Sequence, residues 1–525
     1  MQQIASLDWV VISGYFALII VIGVVVSRRT SSGEDLFLAG RSLTLLPVGL
    51  SLFASNISST TLVGLMGQAY TSGLSVANYE WMAAIIFIFM AAVTVPVFLK
   101  NRLNTVPEFL LKRFGVVAQR YFSGLTILVS LAVDTAGGLY AGTLILQSLF
   151  PELPFLGTAV TMALFVGLYT AIGGLKAVVY TDMLQALVLV VGAALMLFVV
   201  MGRFDFSLTA VTASLPEGHF SLMQPWDDTT LPWIGTVFGL PIIGLYFWSM
   251  NQYIAQRVLA ARDIEHARLG CTVAGYLKLT PLFLMVLPGA LAPVLFPALE
   301  EPDQVFAKLT LEVLPAGIRG LVLAGLIAAI MSSLDSTLNS ASTLILHDFL
   351  LPMRDGHMSD RARLWFGRIS TFGLAVLAAL WAPLIANFHG LFAYLQQVMA
   401  YLAPPVVVVF IWGIFTQTGS RRAAMFTMIP MHVVGIACLI ANHLGLLPLH
   451  FTVHAAVLAV IACVLYVTLA KSMAEAPTAA KGAEPLKHWQ FSWTRPIRQA
   501  GLWRDYRAHS AALLVLVALM LVFFW

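Results

Sequence analysis

Charge is scarce in this chain. Aspartate, glutamate, lysine and arginine together supply 10% of 525 residues, too few to cover a soluble fold of this length with water-facing side chains. Cysteine is nearly missing too. Cys271, Cys438 and Cys463 all lie in apolar surroundings without metal-ligand spacing, which excludes a disulfide framework and a zinc site. No polar stretch has the length of a catalytic domain, and the chain carries no P-loop, no HExxH pair and no GxSxG elbow. A membrane enzyme therefore has little support. The net charge of +4 is small and gives no footprint for nucleic acid.

Apolar residues are abundant instead: 59% of the chain, at a mean hydropathy of +0.89. Runs of about 20 such residues read as membrane spans, so the lipid bilayer is the first partner implied. Met1 to Asp8 carries no positive charge, so the first run, 9–26, does not read as a cleaved signal peptide. Further runs follow at 47–72, 77–99, 121–149, 155–173, 178–202, 233–253, 268–296, 318–350, 362–385, 390–416, 422–443, 451–470 and 509–525, fourteen spans in all. Arg28 and Arg29 directly after the first run put its end in the cytoplasm and both termini outside. Of 29 Lys and Arg, Arg203, Lys308 and Arg319 fall on the outer side and Lys278 within a span, so 25 are left inside. The chain thus reads as an all-α, multi-pass plasma-membrane protein of bacterial inner-membrane type.

Two of these runs are interrupted. In Ser51 to Gly64, six hydroxyl or amide side chains crowd into Ser55 to Thr61, and such residues offer the backbone alternatives to the helical ladder. Non-helical backbone at membrane depth survives where protein or an aqueous cavity satisfies it. The seventh run, Gly239 to Gln252, has Gly and Pro early and Ser249, Asn251 and Gln252 late. It comes five spans after the first interruption, so two five-helix halves run in opposite directions. Matching breaks in inverted halves point to a secondary transporter with its site at mid-membrane. The division expected is a peripheral first helix and loop (1–46), a transport core (47–416, with repeats 47–202 and 233–416) and peripheral helices (417–525). The 471–509 loop in the last part is basic and aromatic in its second half, suited to the lipid surface. An outer cap is expected from Phe204 to Leu231.

The ninth span carries Ala329, Ser332, Ser333 and Ser336 on one helical face. Two adjacent hydroxyls there suit an oxygen shell begun by carbonyls near Ala54 and Ile57, and oxygen ligation suits a hard cation. Small residues at a helix contact usually mean packing alone. Asp335 weakens that reading, because an acid inside a span is costly and usually functional. Asp134 and Asp182 are further intramembrane acids, and Asp134 receives no role. No arginine is expected within the central spans, and His432 and His454 read as packing residues of peripheral helices.

The stretches Phe37–Ser42, Ser55–Ser58, Tyr79–Met82, Tyr169–Asp182, Trp248–Arg257, Leu287–Gly289 and the serine run, in that order, resemble the sodium:solute symporter family, and its sodium/sugar cotransporters most. The resemblance covers spans two to eleven. It implies a LeuT-type core of two inverted five-helix repeats with discontinuous helices, and sodium-coupled uptake of a sugar-like small molecule by alternating access. Sodium would be met by the carbonyls of Ala54, Ile57 and Ala329 and the hydroxyls of Ser332 and Ser333. Solute would be met by Asn56, Glu80, Lys278 and Gln396, with Tyr79, Phe247 and Phe392 stacking on it or gating it. Asp182, Asp335 and Ser336 are candidates for a second cation, with the two acids converging. The chain departs from the common sugar-carrier pattern at Thr61, Ala83, Gly244 and Phe247, where Gln, Ser, Asn and Tyr are usual. Thr61 stays in the expected solute set, and the solute shifts from a simple hexose towards an N-acetylated sugar or a cyclitol. A nucleoside or amino acid carrier, and a transporter-like membrane sensor, are the alternative readings.

Overall fold

Where the surrounding solvent is hydrocarbon, every backbone group needs a partner within the protein, and helices supply it. The computed structural model describes residues 4–27, 32–207, 209, 212, 215–354, 357–387, 391–417, 419–473 and 505–525. Most of the expected cytoplasmic loop, 474–504, lies outside these residues, as do Arg28 and Arg29. The described chain is helical, with two isolated bridges, Leu43 to Ala261 and Gln224 to Pro232.

Among the described residues, eleven stretches are long and apolar enough to cross a membrane, and Leu45–Asn56, Phe155–Leu168 and Gly235–Met250 are shorter apolar helices. Traced in order they make fourteen passes, because Ser59–Lys100 turns once at Gly73–Ala77 and so completes one pass and makes another. We label them α1 (Ser6–Ser27), α2 (Leu45–Asn56), α3 (Ser59–Ser72), α4 (78–100), α5 (Val116–Leu149), α6 (155–173), α7 (175–202), α8 (Gly235–Met250), α9 (Gln252–Leu259), α10 (Ile264–Leu295), α11 (Ile318–Met353), α12 (Asp360–Ile385), α13 (Leu391–Phe415), α14 (Arg421–His443), α15 (Phe451–Ser472) and α16 (Tyr506–Phe523). The pairs α2/α3 and α8/α9 are single passes in two pieces.

Helices α6 and α7 meet at Gly174, whose φ of +63° and ψ of −177° fold the chain back. That backbone favours glycine, and a Cβ there would lie 2.7 Å from Leu36 Cδ1. Helix α11 is the axis of the bundle. From Ala328 to Leu344 every residue is buried, polar and apolar alike. A helix enclosed on all sides can carry polar groups if neighbouring helices satisfy them.

Helix α1 is clasped to α11. The Asp8 carboxylate accepts from the backbone N–H of Gly317 (2.7 Å) and Gly320 (2.8 Å) and pairs with Arg319 at 2.7 Å. The described part of 204–231 folds over the helix ends, as expected of a cap. Leu74 N donates to His219 O (2.8 Å), Asn78 Nδ2 to Leu222 O (2.6 Å) and Leu222 N to Phe524 O (2.7 Å). On the peripheral helices, His432 meets Tyr121 and Leu402 O, and His454 meets Tyr401, so both imidazoles are engaged in packing contacts.

Candidate functional site

Both expected interruptions are present. Helix α2 ends at Asn56, Ile57 (ψ 96°) and Ser58 (ψ 172°) are extended, and α3 restarts at Ser59 with the Ser58 hydroxyl accepting from Thr61 N at 3.2 Å. That hydroxyl replaces a lost helical acceptor, as a cap does elsewhere. The second interruption is narrower. Asn251 alone is extended (ψ 132°), and its side chain caps α9 by accepting from Tyr253 N at 3.4 Å. Gly239 and Pro241 do not break the helix. Wide π-type turns occupy Gly235–Gly239 and Leu245–Met250 instead.

Between the two interruptions lies a cavity of about 80 Å³. Asn56 and Thr61 line it from the first interruption, Tyr79 and Glu80 from α4, Phe247 from α8, and Phe392 and Gln396 from α13. Seven of the eight residues expected to meet solute therefore share one space. The eighth, Lys278, stands behind Glu80, fully buried, and its ammonium donates to Glu80 Oε2. Tyr79 and Phe392 meet edge to face at 5.3 Å, and Phe247 packs edge-on against Trp248 and Tyr253 at 5.6 and 5.9 Å. A polar floor and aromatic walls suit a solute with an apolar face and a ring of hydrogen-bonding groups.

The groups expected around sodium lie on α2 and α11, which approach closely. Ser55 Oγ and Ser336 Oγ are 3.1 Å apart, although 281 residues separate them in sequence. Ser333 lines the cavity and donates to Ala329 O at 2.7 Å. The Ser332 hydroxyl donates to Asp182 Oδ1, and Ala54 O accepts from Ile57 N at 3.2 Å. Hydroxyls and carbonyls are the donor set that a hard monovalent cation takes, and each hydroxyl retains lone pairs while donating.

Asp182, Asp335 and Ser336 also come together, and here the structure corrects one expectation. Arg257 is fully buried within the bundle. Its guanidinium pairs with Asp182 at 3.4 Å, donates to Ser51 Oγ at 3.1 Å and reaches Ser336 Oγ and Tyr253 O. The seventh pass runs on through α9 to Leu259, so a residue expected in a cytoplasmic loop is an intramembrane cation. Asp182 also accepts from Ser51 (2.5 Å) and Ser55 (3.1 Å). Asp335 Oδ1 accepts from Ser336 at 3.2 Å, while Asp335 Oδ2 is buried without a hydrogen-bond partner. One arginine thus stands among two acids.

A second residue was seen in sequence without a role. Asp134 lines the cavity, placed there by a π-type turn at Ser130–Thr135. Thr135 Oγ1 anchors that turn to Ser130 O (2.7 Å) and to Thr337 on α11 (2.8 Å). The signal in the sequence was an acid in an apolar span, and periodicity alone did not give its direction.

Comparison with known proteins bears on what this arrangement does. The family model of the sodium:solute symporter family matches residues 36–431. Sodium/glucose cotransporter 4 of Danio rerio is 33% identical over 471 residues, 82% of this chain and 71% of that protein. Sodium/myo-inositol cotransporter 2 of Bos taurus is 34% identical, over 84% of this chain and 71% of its own length. The sodium/mannose cotransporter of Bos taurus is 35% identical, over 84% and 80%. Among solved structures, a Na⁺-coupled sialic acid symporter in a substrate-bound outward-open state superposes with a TM-score of 0.78 over 89% of this chain and 98% of its own, at 22% identity. Mhp1, a nucleobase-cation-symport-1 family transporter, gives 0.54 over 84% and 96%, at 15% identity. These two likenesses bear on the fold, a LeuT-type transporter core.

Proposed function

The chain belongs to the sodium:solute symporter family, and from that premise we propose that it imports a sugar, a sugar derivative or a cyclitol together with sodium. Membership makes it a sodium-coupled symporter of small polar solutes. The observation that carries the narrower reading is the lining of the cavity. Its amide, hydroxyl and carboxylate groups face aromatic walls, and Glu80 with its lysine lies at one side. A solute with several hydroxyls satisfies such a lining, while an apolar one leaves buried polar groups unpaired.

Sodium, as the driving substrate, is assigned to the carbonyls of Ala54, Ile57 and Ala329 and the hydroxyls of Ser332 and Ser333. The contact between Ser55 and Ser336 supports this, since it brings the two helices carrying those groups within hydrogen-bond reach. A second cation, or a proton, is assigned to Asp182, Asp335 and Ser336. Two carboxylates against one guanidinium leave one negative charge over, and Asp335 Oδ2 lacks a hydrogen-bond partner. In this reading the repeats 47–202 and 233–416 rock about the cavity to expose it to each side in turn, and both termini face outward.

Purified protein in proteoliposomes, given an inward sodium gradient, should accumulate at least one hexose, N-acetylated hexose or cyclitol from a panel that includes nucleosides and amino acids. Equal uptake with potassium in place of sodium refutes the coupling. Sodium-driven uptake confined to amino acids refutes the solute class and leaves the coupling intact.

A further inference from the structure

Asp134 has no counter-charge on the cavity wall. Its Oδ2 is buried and without a hydrogen-bond partner, in a cavity where Trp248 Nε1 is unpartnered as well. The other acid of the wall, Glu80, is matched by Lys278 behind it. Among the described residues, no lysine or arginine lines the space. One unmatched carboxylate therefore faces the position of the solute. It is held there firmly, since the wide turn at Ser130–Thr135 is tied to α11 through Thr135 and Thr337.

The remaining lining narrows what suits that carboxylate. Five aromatic rings (Tyr79, Phe247, Trp248, Tyr253 and Phe392) border the same space. Aromatic faces attract cations, and a carboxylate beside them adds a full charge in a site of low dielectric. A neutral polyol would give Asp134 hydrogen bonds and leave its charge uncompensated. An ammonium group compensates the charge and donates hydrogen bonds at the same time. We propose that Asp134 contacts the solute directly and selects one bearing a protonated amine on a polyol frame, an amino sugar or an aminocyclitol, over its neutral isostere. This rests on the reading that the cavity holds the solute, and it narrows that reading to a charged class.

The test compares matched compounds in proteoliposomes under a sodium gradient: a 2-amino-2-deoxyhexose, its N-acetyl derivative and the parent hexose, and an aminocyclitol beside its cyclitol. The wild-type chain should favour the amines by about ten- to hundredfold in apparent affinity, the range of a hydrogen bond to a charged partner. Asp134→Asn should level that preference, and Asp134→Glu, which keeps the charge, should retain most of it. Thermal unfolding of both variants in detergent checks that the fold persists. Sodium-driven uptake of neutral compounds at equal or better affinity overturns this inference and leaves the symport of polyols standing. An amine preference unchanged in Asp134→Asn also overturns it. So does a shifted sodium half-saturation with solute preference unchanged, which would assign Asp134 to a cation. Failure of every panel compound to be bound or taken up overturns both readings together.

Discussion

Lys278 and Glu80 are buried, so each depends on the other for its charge. Removing one partner of such a pair commonly costs about 3–5 kcal/mol, because the charge left behind has no solvent. Lys278→Met should therefore lower the unfolding temperature sharply, and Glu80→Gln combined with Lys278→Met should recover most of that loss. Solute uptake should stay low in the double variant, since the carboxylate facing the cavity is gone. A double variant as unstable as the single would show that the lysine matters for packing and not for charge. Ser333→Ala makes a gentler change. It removes one oxygen proposed for the sodium shell, and the sodium half-saturation should rise by roughly three- to tenfold, the equivalent of one ordinary hydrogen bond. Unchanged sodium activation would remove Ser333 from the shell.

Single residues were legible in sequence chiefly where they matched a family motif. Asn56, Glu80 and Gln396 were expected at the solute through the resemblance to sodium/sugar cotransporters, and they share the cavity. Arg257 was not legible. It lies beyond the apolar run, and arginine there reads as an interfacial residue. The short helix α9 carries it back into the bundle, where Asp182 and Ser51 meet it.

At the level of elements, the breaks near Ser58 and Asn251 followed from side-chain chemistry, because hydroxyl and amide groups compete for the backbone. The wide turns had no such signature. Ser130–Thr135, Leu245–Met250 and Ile345–Leu350 each fit an extra residue into an otherwise helical pattern, and this rotates everything after it relative to a 3.6-residue count. That rotation is why the facing of Asp134 could not be read beforehand. Helix α8 shows a second device invisible to hydropathy. Gly235 and Gly239 let it lie against the start of α15 so closely that a Cβ on Gly239 would sit 1.9 Å from Thr452 O. Gly239→Val should therefore separate the peripheral α15 from the core. The check is a lowered unfolding temperature with greater hydrogen exchange in α15, and a variant as stable as wild type would show that the contact yields easily.

Helix α10, which carries Lys278 at mid-length, begins at a cap that titrates. Asp263 accepts from Glu265 N (3.0 Å) and His266 N (2.9 Å) and from the His266 ring. Partial burial pushes its carboxyl up, but these hydrogen bonds outweigh that and hold it below the usual value. A depressed folded-state pKa stabilises above the unfolded pKa, near 4, and the stabilisation is lost as pH falls through the lower folded value. Amide protection at the first turn of α10, the exchange rate relative to the intrinsic rate at each pH, should accordingly be high at neutral pH and fall under acid. Asp263→Asn should show the same protection across that range. A wild-type chain insensitive to acid there would dismiss the cap as a titrating element.

For the molecule as a whole, the number of coupled charges sets how steeply solute can be concentrated. One charge moved inward at about 100 mV supplies roughly 2.3 kcal/mol, and a tenfold sodium gradient adds about 1.4. A single sodium then supports roughly 500-fold accumulation, and a second squares that limit. The charge left over among Asp182, Asp335 and Arg257 predicts two coupled monovalent cations per cycle for a neutral solute. Asp335→Asn should reduce the number to one, as read from reversal potentials at several pH values. A ratio of one in the wild type, insensitive to pH, would make Asp335 a structural acid. The passes and their inverted arrangement were legible because hydrocarbon imposes length and apolar composition on every pass. The linkage between distant passes was not, since nothing local announces that Asp8 meets Gly317.

That clasp has a consequence for biosynthesis. Asp8 emerges from the ribosome with the first helix, while its partner Gly317 lies 309 residues further along the nascent chain. At about 5–20 residues per second, the wait between the two is roughly 15–60 s. Throughout it, the first helix carries an acid whose partners at Gly317, Arg319 and Gly320 do not yet exist, so it stays near the water boundary, unlocked. Final docking of that helix is therefore a late event, and Asp8 marks the moment when the ninth pass has arrived.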